Sequence, residues 1–136
     1  MVSHLSVPAI EPNNNTPTSI SDKAVTKLLK EDMKFQGLIY TDALNMQGIT
    51  SHVNPGEIDY MAFIAGNDVL LFAESVPMGH KKIKQAYEKN VITKERLDHS
   101  VRKILMAKYW SGLNQYKPVD LNHLKEDLNT VQDELL

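Results

Sequence analysis

The chain has 136 residues and no cysteine, which excludes disulfide bonds and thiolate chemistry. An excess of one charge is also lacking, since 15 Lys and Arg residues against 17 Asp and Glu residues give a formal net charge of −2. This balance provides no electrostatic basis for binding nucleic acid or an anionic membrane. No apolar run approaches the roughly 20 residues of a membrane-spanning helix. With 42% hydrophobic residues, the chain has the composition of one ordinary globular domain.

Motifs for binding nucleotides and metals are missing as well. The sequence contains neither G-x-G-x-x-G nor a P-loop, so no nucleotide site is expected. Its five histidines have no pair at the i, i+4 spacing that, with a third ligand, would indicate a zinc site. We therefore predict that the protein uses no cofactor and no metal.

Three short apolar segments, at residues 1–5, 37–40 and 68–72, alternate with segments of helical periodicity. Ser21 or Asp22 can cap the first helix, Pro55 suits the first turn of the second, and Gly66 ends it. A third helix is predicted around residues 83–87. Apolar strands that alternate with amphipathic helices indicate a parallel sheet covered by helices, as in doubly wound sheets and β/α barrels.

The last long helix is predicted to begin at a Thr93 cap and to end before Gly112. We expect Trp110 to anchor the core and the pair Arg102-Lys103 to lie on a solvated face. The apolar face of this helix is predicted to comprise Leu97, Val101, Ile104, Leu105 and Tyr109. After Pro118 a second apolar stripe follows, which fits either an amphipathic helix or a loosely held tail: Leu121, Leu124, Leu128, Val131 and Leu135.

A carboxylate stands at the end of the second apolar segment, in "GLIYTDALNM". Asp42 follows the predicted strand directly and has apolar residues on both sides. In β/α folds the functional groups lie beyond the carboxyl ends of the strands, where His4 and Glu74 are also placed. The alternative is structural, with Asp42 capping a turn or accepting hydrogen bonds from nearby backbone amides.

The segment "KFQGLIYTDALNM" resembles the nucleophile segment of glycoside hydrolase family 3, in particular its bacterial β-N-acetylglucosaminidase (β-hexosaminidase) branch. Four further blocks are similar in the same order: "MVSHLSVPAIEP", "SISDKAVTKLLKEDMKFQG", "AGNDVLLF" and "ITKERLDHSVRKILMAKYWSGL". The resemblance implies that residues 1–113 are the C-terminal part of a TIM-type (β/α)8 barrel, with about three parallel strands and their covering helices. Residues 114–136 would then be a tail, or a linker or helix leading to a further domain.

This resemblance implies a retaining glycosidase that releases terminal β-linked N-acetylglucosamine from peptidoglycan or related amino-sugar glycoconjugates. Asp42 would be the nucleophile that forms a covalent glycosyl-enzyme. His4 would line the sugar pocket, the alternative being a structural histidine bonded to a neighbouring loop. Met46 is assigned to the same substrate site, packed beside the nucleophile. The implied partner is a carbohydrate substrate, and the sequence does not determine whether the parent protein resides in the bacterial cytoplasm or the cell envelope.

One part of the family pattern is missing from this sequence. The His-Asp loop of the type "K-H-F-P-G-H-G-D", which supplies the proton donor in that branch, does not occur. The competing expectation is therefore an inactive fragment, or a partial barrel that acts as an interaction module. Such a module would bury its exposed sheet edges by self-association or against the remaining barrel.

Overall fold

The computed structural model describes residues 1–12, 15–46, 49, 54 and 56–129. Within these residues five helices are named here in chain order, and single turns of 3-10 helix lie at Thr18–Ile20 and Leu113–Gln115. The helices are α1 (Lys23–Asp32), α2 (Glu57–Ala65), α3 (Val76–Glu88), α4 (Lys94–Trp110) and α5 (Leu124–Leu128). All of the helices that the periodicity predicts before residue 113 are present.

The three apolar segments lie side by side in chain order and run parallel, but they are joined by isolated bridges, at Val2–Thr41 and Tyr40–Val69. The backbone N–H of Val2 donates to the carbonyl of Tyr40 at 2.8 Å, and the N–H of Thr41 donates to Val69 at 3.0 Å. Among the described residues no segment forms a continuous strand, so the structure gives the order and direction of the predicted strands without their ladders.

At two positions, a side-chain oxygen accepts the hydrogen bond from a backbone N–H that a backbone carbonyl would accept in a continuous ladder. The N–H of Ile39 donates to the carboxylate of Asp68 at 3.0 Å, and the N–H of Leu71 donates to the Thr41 hydroxyl at 2.9 Å. These bonds satisfy buried amide groups without extending the backbone pairing. The three-strand prediction misses this because hydrophobic patterns do not reveal side-chain acceptors.

Helix α1 has π-type hydrogen bonding and buries Ala24 and Val25, and Val25 packs with Ile39 of the second segment. Of the two predicted caps, the Ser21 hydroxyl accepts from the N–H of Ala24 at 3.1 Å, whereas Asp22 makes no side-chain cap bond. Helix α2 ends at Gly66, as predicted, with the glycine in the left-handed region at φ 119°. The predicted start at Pro55 lies outside the described residues.

The core consists of small apolar clusters around α2. One cluster joins α2 to the loop after Asp42, and another joins α2 to α3 and the turn that follows it. Leu70 of the third segment packs against both of these clusters. The first comprises Leu44, Ile49, Ile58 and Ala62, and the second comprises Phe63, Ala86 and Ile92. The loop that carries Asp42 is therefore anchored in the core.

Helix α4 packs differently from the prediction. Thr93 does cap it, because its hydroxyl accepts from the N–H of Arg96 at 3.2 Å. The expected apolar face is mostly open to solvent, with Leu105 58% exposed and Tyr109 70% exposed. Trp110 is 89% exposed, so its prediction as a core anchor is wrong. Lys103, expected on a solvated face, is only 13% exposed at its side chain and bonds Asp68. The packed face of α4 therefore includes polar residues that bond the buried carboxylate of Asp68, Ser100 and Lys103, beside the apolar Leu97.

The segment after Pro118 contains the short helix α5, and its apolar residues are largely exposed, Leu121 to 71% and Leu128 to 66%. Val131 and Leu135 of the predicted stripe lie outside the described residues. The division between residues 1–113 and 114–136 stays a prediction.

Candidate active site

Asp42 lies at the carboxyl end of the middle apolar segment, as the sequence predicts. Its backbone N–H donates to the carbonyl of Val2 at 2.7 Å, which fixes it beside the first segment. Its Oδ1 accepts from the N–H of Ala43 at 2.8 Å. The side chain is half-buried. A carboxylate has about four lone-pair sites, so this local bond, the one that its side chain makes within the described residues, leaves it able to accept further hydrogen bonds or to act as a nucleophile.

The peptide unit between Ala43 and Leu44 is held from two sides. The Ala43 carbonyl accepts from Nε2 of His4 at 2.8 Å, and the N–H of Leu44 donates to the carbonyl of Leu71 at 2.9 Å. The Leu44 side chain is 1% exposed in the apolar cluster against α2. The backbone directly after Asp42 is therefore fixed by the first segment, the third segment and the core.

His4 is thus brought close to Asp42, and both of its ring nitrogens have protein partners. Nδ1 lies 2.6 Å from Oγ of Ser19, and Nε2 lies 2.8 Å from the Ala43 carbonyl. This geometry matches the alternative in which His4 bonds a neighbouring loop. Its assignment to sugar binding stays a prediction.

Met46 and Glu74 are the other two residues that the sequence places at this end of the segments. Met46 lies in the loop after Asp42, with its side chain 48% exposed and its N–H donating to the Ala43 carbonyl at 3.2 Å. Its role in substrate binding stays a prediction. Glu74 is exposed, and the carboxylate that its charge affects is Asp59 of α2. Burial, followed by the charge of Glu74, raises the pKa of Asp59.

A second polar cluster, which the sequence reasoning missed, surrounds Asp68 at the amino end of the third segment. Oδ1 of Asp68 accepts from the Ser100 hydroxyl at 2.6 Å, and Oδ2 accepts from Nζ of Lys103 at 3.1 Å. Burial would raise the pKa of Asp68, but the hydrogen bonds from Ser100, Ile39 and Lys103 outweigh it and lower the pKa. Because Asp68 is the first residue of its segment whereas Asp42 follows one, the two carboxylates lie at opposite ends of the parallel segments.

Arg96 ties the Asp68 cluster to α2. Its guanidinium donates to the carbonyls of Phe63 at 3.0 Å and Asn67 at 2.7 Å, and it lies 4.3 Å from the centre of the Phe63 ring. The signal in the sequence was the spacing of Arg96, Ser100 and Lys103, which places three polar residues on one face of α4. The hydrogen bonds of this cluster join α4 to the end of α2 and to the second segment.

Among the described residues, metal-binding and membrane-spanning features are absent. No group of three or more His, Asp or Glu side chains there is arranged to hold a metal ion. In the same part of the chain, no helix combines the length and apolar character needed to cross a membrane.

Comparison with known proteins decides the family. The family model described as "Glycosyl hydrolase family 3 N terminal domain" matches residues 1–107. The chain belongs to glycosyl hydrolase family 3. The predicted family is therefore confirmed, and the match includes Asp42, His4 and Met46 within its bounds.

Individual relatives carry glycosidase names. A β-N-acetylglucosaminidase/β-glucosidase of Cellulomonas fimi is 27% identical over 123 residues, which are 85% of this chain and 22% of the relative. The structure of a family 3 β-N-acetylglucosaminidase from a Paenibacillus species is 29% identical, with a TM-score of 0.76 over 85% of this chain and 22% of that one. The structure of the β-glucoside phosphorylase BglX is 26% identical, with a TM-score of 0.82 over 99% of this chain and 26% of that one. The chain thus spans about a fifth of the length of the curated relatives it matches.

Proposed function

We propose that this chain carries the nucleophile of a retaining glycosidase, and that the nucleophile is Asp42. The observation that supports this most directly is a half-buried carboxylate at the end of a parallel segment, followed by a peptide unit that is held from both sides. Nucleophilic attack on a sugar requires a carboxylate fixed in position, because a displacement of about 1 Å can cost about a hundredfold in rate. The proposed substrate is a terminal β-linked N-acetylglucosamine residue, as in peptidoglycan fragments.

The proposed reaction has two steps. A carboxylate oxygen of Asp42 attacks the anomeric carbon, the bond from that carbon to the leaving-group oxygen breaks, and a general acid protonates the leaving group. Water then attacks the anomeric carbon while the same acid/base group, now deprotonated, accepts a proton from it; the bond to Asp42 breaks, and the sugar leaves with its original configuration. In such enzymes the acid/base group lies about 5–5.5 Å from the nucleophile.

No residue of this chain is assigned as that general acid. The His-Asp loop expected for this branch does not occur in the sequence, and both ring nitrogens of His4 are bonded within the protein. The nucleophile is therefore best tested with a substrate whose leaving group departs without protonation. We further propose that the three parallel segments are β/α units of a TIM-type barrel, consistent with their order, direction and covering helices.

The test uses a 5-fluoro glycosyl fluoride of N-acetylglucosamine. Its ring fluorine slows both steps, while its anomeric fluoride leaves as an anion, so the glycosyl-enzyme accumulates. We expect intact-mass spectrometry to show one added glycosyl group on the chain, and peptide mapping to place it on Asp42. Asp42→Asn should abolish the added mass, and the matched control Asp120→Asn, an exposed aspartate in the tail, should retain it.

Two outcomes of this experiment contradict the proposal. Labelling of the Asp42→Asn variant at the rate of the unaltered chain would exclude Asp42 as the nucleophile. A chain that folds but is never labelled would show that it does not act on this sugar. Because one similar structure is a phosphorylase, release of the label is compared with and without inorganic phosphate, which identifies the second-step acceptor.

A second candidate function is that of an interaction module that associates with a copy of itself. The observation that favours it is the exposed apolar face of α4, formed by Val101, Leu105, Met106, Tyr109 and Trp110. Contiguous exposed apolar surface of this kind often marks an interface. Sedimentation velocity over a range of concentrations tests this candidate. A dimer that Leu105→Glu dissociates would support it, whereas a monomer at every concentration would contradict it.

A further inference from the structure

The backbone directly after Asp42 is held by hydrogen bonds at Ala43. Ala43 carries two contacts that point to opposite neighbours: its N–H donates to Oδ1 of Asp42 at 2.8 Å, and its carbonyl accepts from Nε2 of His4 at 2.8 Å. The orientation of Ala43 therefore depends on the hydrogen bond from His4. That orientation in turn determines where the Ala43 N–H meets the Asp42 carboxylate. Through one residue, the imidazole ring is coupled to the Asp42 side chain.

The hydrogen-bond partners of His4 determine which of its two ring nitrogens carries a proton. A backbone carbonyl only accepts hydrogen bonds, so Nε2 of His4 must carry a proton for the bond to Ala43 to form. In the neutral ring Nδ1 is then the acceptor, and the Ser19 hydroxyl, 2.6 Å away, donates to it. The Ala43 carbonyl thus selects the tautomer, and the Ser19 hydroxyl, which can donate or accept, holds Nδ1 in place.

Ser19 is itself held firmly. It is fully buried, at 0% exposure, and its carbonyl accepts from Nδ2 of Asn67 at 2.8 Å. The same amide nitrogen of Asn67, a residue also at 0% exposure, donates to the carbonyl of Ala62 in α2 at 2.7 Å. The partner that orients His4 is therefore connected to α2, an element that packs in the core.

We propose that His4 is a positioning residue for Asp42, acting through the Ala43 carbonyl, and that Ser19 acts through His4 by holding its ring in place at Nδ1. This inference rests on the proposed function of Asp42 as nucleophile. It assigns to His4 a role other than direct contact with the sugar, because both ring nitrogens are used within the protein. Loss of the Nε2 donor should impair attack by Asp42 more than it impairs binding of the sugar.

The first test needs no catalysis. Nitrogen-15 NMR of the unaltered chain should show the His4 ring as the Nε2–H tautomer at alkaline pH. His4→Phe removes both ring nitrogens and keeps a ring of similar size, while His4→Gln keeps a donor near the position of Nε2. Amide exchange of Leu44, which shares a peptide unit with the Ala43 carbonyl, should accelerate about five- to tenfold in His4→Phe. It should stay near the original rate in His4→Gln and in the control His80→Phe, whose histidine is exposed on α3.

The second test uses the 5-fluoro glycosyl fluoride. We expect His4→Phe to lower the maximal rate of Asp42 labelling at least tenfold, with little change in the reagent concentration that gives half of that rate. His4→Gln should recover a large part of the loss. A histidine that binds the sugar would instead raise the half-saturating concentration and leave Leu44 exchange unchanged, and that result would overturn the inference.

The two tests separate this inference from the proposed function. If the unaltered chain is never labelled, the proposed nucleophile fails while the tautomer and the Leu44 exchange still report on the contact with Ala43. If the chain is labelled but His4 has the Nδ1–H tautomer, the positioning role is excluded and the nucleophile stands. Should His4→Phe fail to fold, Ser19→Ala takes its place, and a Leu44 exchange rate unchanged by that variant would contradict the role of Ser19.

Discussion

At the scale of single residues, the two carboxylates at the segment ends have different tasks. Asp42 is half-buried, and within the described residues its side chain makes one local bond, an arrangement that the proposed nucleophile requires. Asp68 is 5% exposed and accepts hydrogen bonds from Ser100, Lys103 and the backbone of Ile39, so its oxygens are occupied. Burial with complete pairing is the mark of a structural carboxylate, whereas a nucleophile must keep a lone pair accessible.

Asp68→Asn should destabilise the protein by about 3 kcal/mol at neutral pH, since it leaves the buried cations Arg96 and Lys103 without their anion. The lowered pKa of Asp68 means that its stabilisation is fully present above the unfolded value, about 3.9, and is lost as the pH falls through the folded value. Urea unfolding at pH 7 and at acid pH measures both effects. The variant should also lose part of the acid dependence, and equal acid dependence in the two proteins would argue against this role.

How far the sequence predicts the site depends on the residue. Asp42 and His4 were predicted at the ends of neighbouring segments because parallel strands bring their carboxyl ends together. The Asp68 cluster was missed because Arg96, Ser100 and Lys103 look like surface residues when each is considered by itself. Their common face on α4 becomes meaningful only when Asp68 is known to lie beneath it.

At the scale of elements, helix limits were predicted better than helix faces. Thr93 and Gly66 mark helix ends through local bonds and local backbone geometry, which depend on nearby sequence alone. Which face of α4 packs depends on what lies opposite, and there the need to satisfy Asp68 outweighed the burial of Leu105 and Tyr109. An unsatisfied buried carboxylate costs more than exposing a few apolar side chains.

The crossing of α2 and α3 depends on a glycine. A Cβ atom added to Gly79 would lie 2.9 Å from Cβ, Cγ and Oδ2 of Asp59, closer than normal packing allows. Gly79→Ala should therefore destabilise the protein by about 1–3 kcal/mol, because one helix must shift away from the other. Thermal or urea unfolding measures the loss. The control Gln85→Ala, at an exposed position of the same helix, should change stability little, and similar stability of both variants would contradict close packing at Gly79.

At the scale of the whole molecule, charged side chains of α1 and α4 lie close to each other at the end of α2. Lys30 of α1 donates to the carbonyl of Gly66 at the end of α2, and Arg96 of α4 lies near enough for its charge to act on Lys30. Burial, followed by the charge of Arg96, lowers the pKa of Lys30 to about 8. The interior between these helices therefore holds more positive charge than Asp68 alone neutralises.

This arrangement predicts an unusual stability profile at alkaline pH. The unfolded chain keeps the Lys30 proton up to about pH 10.5, whereas the folded protein releases it at about pH 8. Between these values the unfolded state binds more protons, so the free energy of unfolding should rise with pH through this group. Lys30→Met should remove that rise, and the control Lys84→Met, whose side chain is 63% exposed, should keep it. Urea midpoints measured from pH 7 to pH 10.5 provide the comparison. If the unaltered chain and Lys30→Met have parallel profiles, the buried cation does not shape the stability of the fold.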